Sequence, residues 1–62
     1  MNAISDFDTA ELHKLSGQAD RLSRTLELAR SYKILEWDDD ANDLLADATR
    51  IAAEITETLE AR

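Results

Sequence analysis

The chain has no cysteine, no proline and a single glycine, Gly17, among its 62 residues. Without cysteine it can form neither a disulfide staple nor a thiolate metal site. Without proline, and with one glycine, the residues that usually punctuate turns are nearly absent. Only one histidine, one tryptophan, one tyrosine and one phenylalanine are present. No stretch approaches the roughly 20 consecutive apolar residues of a membrane span. The opening Met1-Asn2-Ala3-Ile4-Ser5-Asp6 lacks the basic region and apolar core of a secretory signal. The expectation is a soluble, cytoplasmic protein.

What is abundant is Ala, Leu, Glu, Asp and Arg, a composition that favours helix over strand. The length allows one small domain spanning residues 1–62. A chain of this size buries only about 60% of the surface its unfolded form exposes. Small folds therefore need a staple, and with cysteine absent the remaining one is association with another chain.

The net charge is −7, unevenly spread. Residues 1–36 carry six acids and five bases. Residues 37–62 carry eight acids (Asp38, Asp39, Asp40, Asp43, Asp47, Glu54, Glu57, Glu60) against Arg50 and Arg62. Such a balance repels a phosphate backbone, so direct nucleic-acid binding is not expected. It is read either as a well-solvated surface or as a negative face aimed at a basic partner.

Two helices emerge from the periodicity. Asp8 with Glu11 three residues on makes a capping box, and Phe7 with Leu12 makes a hydrophobic staple. Leu12, Leu15, Ala19, Leu22, Leu26 and Ala29 then follow at alternating spacings of three and four, a heptad seam. Gly17 falls at an outward position and costs about 1 kcal/mol without breaking the phase. One continuous helix over about 9–36 is expected, rather than a break at Ser16-Gly17. Past Ala29 the apolar stripe moves to Leu28, Tyr32 and Leu35, so this end is expected to meet a second surface. A second helix over about 40–61 carries Ala41, Leu44, Leu45, Ala48, Ile51, Ala52, Ile55 and Leu59. Its apolar face takes about three positions in seven, wider than a single two-stranded seam requires.

Between the helices runs Glu36-Trp37-Asp38-Asp39-Asp40-Ala41-Asn42-Asp43. A calcium loop would use Asp38, Asp40 and Asn42 as its first ligands. It would then need glycine where Asp43 stands and glutamate where Thr49 stands. The pattern fails at both. A turn and helix start fits without exceptions: an aspartate caps the helix, its neighbours sit at the positive end of the macrodipole, and Asp or Asn supplies the turn conformation. The fold expected is an all-α antiparallel helical hairpin. Its wide apolar faces predict a homodimer closed into a four-helix bundle.

Catalytic chemistry finds no footing. His13 has Ser16 and Gly17 where a second metal ligand would sit, so it reads as a solvated surface side chain. Ser5, Ser16, Ser23 and Ser31 have no base and acid partners nearby. The inward Glu and Glu-x-x-His motifs of two-metal bundles do not occur. No enzymatic activity, metal or cofactor is expected. Lys14, Arg21, Arg24 and Arg30 are interleaved with Asp20 and Glu27, the pattern of a solubilising helix surface.

The candidate partner-binding residues are Tyr32, Leu35 and Trp37, beside Asp39, Asp40, Asp43 and Asp47. Tyr and Trp are typical anchors, and an apolar anchor ringed by acids suits a basic partner. The plainer reading is that these aromatics close the end of the bundle. Three functions follow. The first is a non-enzymatic regulator or adaptor that binds another protein as a dimeric bundle. The second is an inhibitor of the phage counter-defence or DNA-mimic kind, filling the basic site of a nucleic-acid-binding protein. The third is a self-assembling structural protein.

Overall fold

The computed structural model describes residues 8–61, which form two helices, α1 (Thr9–Ile34) and α2 (Asp38–Glu60). They fold back on each other as an antiparallel hairpin with overall extents of 47 × 16 × 15 Å. The capping box is present at the start of α1. The Glu11 N–H donates to Asp8 Oδ1 at 2.8 Å, and the Asp8 N–H donates to Glu11 Oε1 at 3.3 Å. Two of the helix's otherwise unpaired donors are satisfied this way. The staple expected between Phe7 and Leu12 lies outside the described residues. α1 runs unbroken through Gly17, whose Cα faces open space.

The turn differs from expectation in which residues do the work. α1 ends at Ile34, two residues before the expected boundary, with Leu35 as its C-cap. The Trp37 N–H donates to the Tyr32 carbonyl at 2.9 Å, and the Glu36 N–H donates to the Lys33 carbonyl at 3.0 Å. This pair of bonds is a Schellman motif. The motif demands a left-handed residue, and Glu36 supplies it with φ of 64°. Neither Asp nor Asn has that role. The apolar contact that accompanies such a motif is Tyr32 on Trp37, with ring centroids 5.4 Å apart and planes tilted by 44°.

The aspartates are not caps either. Trp37 is the N-cap of α2 and makes no side-chain cap bond, while Asp38, Asp39 and Asp40 form the first helical turn. The Schellman motif uses Glu36 and Trp37 to reverse the chain and leaves no residue over. The aspartates therefore begin the helix and stabilise it through the macrodipole instead. Asp38 also pairs with Lys33 Nζ across the turn at 3.0 Å.

A side-chain bond marks the register of the hairpin: Gln18 Nε2 donates to Thr58 Oγ1 at 3.4 Å. Counting back at 1.5 Å per residue, Thr25 falls level with Ile51, Ala29 with Ala48 and Tyr32 with Leu44. Burial follows the same register. On α1 the more covered positions past the first turn are Leu15, Gln18, Leu22, Thr25, Ala29 and Tyr32; on α2 they include Ala41, Leu44, Ala48, Ile51, Ile55 and Thr58. In heptad terms Leu15, Leu22 and Ala29 are a positions, and Gln18, Thr25 and Tyr32 are d positions. The hairpin seam thus takes Leu15, Leu22 and Ala29 from the expected α1 seam and adds Gln18, Thr25 and Tyr32. Leu12, Ala19 and Leu26 move to e, beside it. The buried residues among those described are Ala29, Ala41, Ala48 and Ile51.

Candidate functional site

An antiparallel pair brings the e positions of both helices to one side and the g positions to the other. Observed contacts agree. The Lys33–Asp38 ion pair joins two e positions. On the opposite side Arg21, Arg24, Asp47, Arg50 and Glu54 line one open hollow of about 440 Å³. A second hollow of about 540 Å³ adjoins it, sharing Arg21 and Glu54 and adding Lys14 and Glu57. The hairpin therefore has two unlike sides.

The e side is apolar. Leu12, Leu26, Leu45 and Leu59 remain 48%, 45%, 47% and 49% exposed, with Ala19 and Ala52 between them. The residues next to them, at b, are Thr9, Ser16 and Ser23 on α1 and Asn42, Thr49 and Thr56 on α2. None is charged, in a chain that is 34% charged. Charges appear on this side only near the turn, at Arg30 and the Lys33–Asp38 pair. On α2 the threonine hydroxyls are already used: Thr49 Oγ1 donates to the Leu45 carbonyl and Thr56 Oγ1 to the Ala52 carbonyl, each at 3.0 Å.

The g side is charged, and toward the turn it holds most of the candidate partner residues. Leu28 and Leu35 project there from α1, and Asp40, Asp43 and Asp47 from α2. Leu35 is exposed; Asp47 is half-buried and paired with Arg50. Tyr32 belongs to the hairpin seam, and Trp37, half exposed, is held over it. Asp39 lies further round α2 and is exposed. The structure thus groups Leu35 with Asp40, Asp43 and Asp47, while it ties Tyr32 and Trp37 to the helix end.

Among the described residues no three His, Asp or Glu side chains converge as a metal ion requires. No helix among them is long and apolar enough to cross a membrane. His13 and the serines at 16, 23 and 31 are exposed and dispersed along α1. Among the described residues, Asp38 and Asp47 are the acids after Glu36 that form ion pairs.

Sequence reasoning placed the leucines and alanines of the e side in a seam but passed over their neighbours. The signal was available: Thr9, Ser16 and Ser23, and again Asn42, Thr49 and Thr56, are uncharged residues repeating every seven positions. Compared with known protein families, curated proteins and solved structures, the chain gives no significant match.

Proposed function

We propose that the chain is a non-enzymatic protein–protein interaction module, a small acidic regulator or adaptor that works as a dimer of hairpins closed into a four-helix bundle. One observation carries the reading. The hairpin buries three alanines and one isoleucine, while four leucines stay nearly half exposed along one side. A core that small contributes little against the conformational entropy of ordering two long helices. A second hairpin supplies the missing cover. The charged side and the turn then stay free for a further partner. On that side Leu28 and Leu35 stay exposed and offer a partner an apolar anchor. The reading involves no cofactor, no direct nucleic-acid contact and no membrane.

The unpaired acids of α2 also favour a second reading, in which the protein occupies the basic site of a nucleic-acid-binding protein by presenting carboxylates in place of phosphates. One experiment separates the two. The tagged protein is used to recover partners from a lysate of its own source at low and moderate salt. The same is done with a variant in which Asp39, Asp40, Asp43 and Asp47 are all changed to Asn. A salt-resistant partner retained by the variant supports the adaptor. A basic nucleic-acid-binding partner lost both to salt and to the variant supports the inhibitor. Recovery of nothing but the protein itself counts against both and turns attention to self-assembly.

A further inference from the structure

The bundle reading leaves open which side of the hairpin the second copy covers. We infer that the e side, uncharged away from the turn, is a self-recognition surface, and that its occupant is the same side of a second copy of this chain. The inference rests on the bundle reading and adds the surface to it.

Charge makes the first argument. Two copies at −7 each repel, so a stable pair must meet where no carboxylate is forced against another. The g side cannot provide this. It carries Asp40, Asp43, Asp47, Glu54 and Glu57 on α2, with Lys14, Arg21, Arg24 and Arg50. The e side offers Leu12, Ala19, Leu26, Leu45, Ala52 and Leu59 bordered by Ser, Thr and Asn. A basic partner finds little to bind on that side, because its one acid among the e and b positions, Asp38, is already paired with Lys33. An identical neutral face is the natural complement, and a two-fold axis lets the face meet itself.

Desolvation makes the second argument. Covering a hydroxyl costs free energy unless it already has a hydrogen bond. Thr49 and Thr56 have spent theirs on the Leu45 and Ala52 carbonyls of their own helix. They can be covered at little cost.

Area makes the third. A compact monomer of 7.0 kDa exposes about 4,000 Å² by the usual scaling with mass. This chain exposes 4866 Å². The excess belongs to an elongated hairpin of 47 × 16 × 15 Å, and on its e side that uncovered surface is apolar, with Leu12, Leu26, Leu45 and Leu59 nearly half exposed.

Matched substitutions test the surface. Leu26 and Leu28 lie on the same helix, are 45% and 44% exposed, and point to opposite sides. Sedimentation equilibrium across a concentration series, with circular dichroism on the same samples, is run on the full chain and on L26E, L28E and S23E/T49E. The double variant guards against misfolding. Glutamate is at least as good a helix former as serine or threonine, and both positions are exposed in the hairpin. The expected result is a dimeric parent chain. L26E and S23E/T49E should raise its dissociation constant by about 100-fold or more, because each copy brings a carboxylate into an apolar interface. L28E should change it by less than about 5-fold, as a rim charge does. A dimer that survives L26E and S23E/T49E but is lost in L28E overturns the assignment and moves the interface to the g side. A dimer indifferent to all three overturns it as well. A parent chain that stays monomeric removes the bundle reading itself, and this inference with it.

Discussion

Glu36 is the residue on which the turn depends. A left-handed conformation costs an L residue about 1–2 kcal/mol, and glycine avoids that cost. With the Schellman bonds intact on either side, Glu36→Gly is expected to stabilise the protein by about 0.5–1 kcal/mol, part of the relief being offset by the greater entropy of the unfolded chain. Urea denaturation at fixed protein concentration checks this. A lower midpoint in the variant would mean that the Glu36 side chain contributes more than its backbone costs. Trp37→Ala should act in the opposite direction. It removes the ring contact with Tyr32 and should cost about 1 kcal/mol in the same experiment. The turn was only partly readable in the sequence. Residue preference points to aspartate as a cap and to Asp or Asn as the turn former. Geometry counts instead from the end of α1, and its signature is the pair of aromatics five positions apart, Tyr32 and Trp37.

For each helix, the question is how its apolar arc is shared between neighbours. The heptad of α1 was legible, and so was its continuity through Gly17. The side of the arc that the hairpin uses was not. Leu12, Ala19 and Leu26 are better seam residues by composition than Gln18, Thr25 and Tyr32. Yet the hairpin takes the second set, because α2 packs against one edge of the arc and leaves the leucines on the other. Two predictions follow from this arrangement. Gly17 is exposed in mid-helix with nothing within 4 Å of an added Cβ, so Gly17→Ala should stabilise by about 0.8–1 kcal/mol. Gln18 sits in the seam with Oε1 shielded and without a hydrogen-bond partner. Gln18→Leu should stabilise by about 1–2 kcal/mol, since it replaces an unsatisfied polar atom with apolar contact. For a domain of this size each kcal/mol raises the melting temperature by about 4–8 °C. A fall in melting temperature for Gln18→Leu would show that the bond to Thr58 is needed to hold the register.

At the scale of the whole molecule, the all-α hairpin was readable because period, capping and a composition rich in Ala, Leu and Glu all agree. Function was less readable, since it depends on which sides of the hairpin remain uncovered, and that requires the register at which Gln18 lies level with Thr58. With the register known, the molecule has one neutral apolar side and one charged side. The proposed division of labour gives the first to a second copy and the second to a partner. Sedimentation equilibrium of the unmodified chain, combined with melting at several concentrations, tests this most directly. The account predicts a species of twice 7.0 kDa whose melting temperature rises with concentration, because association stabilises the folded state. A helical species of 7.0 kDa, melting at one temperature at every concentration, would contradict it.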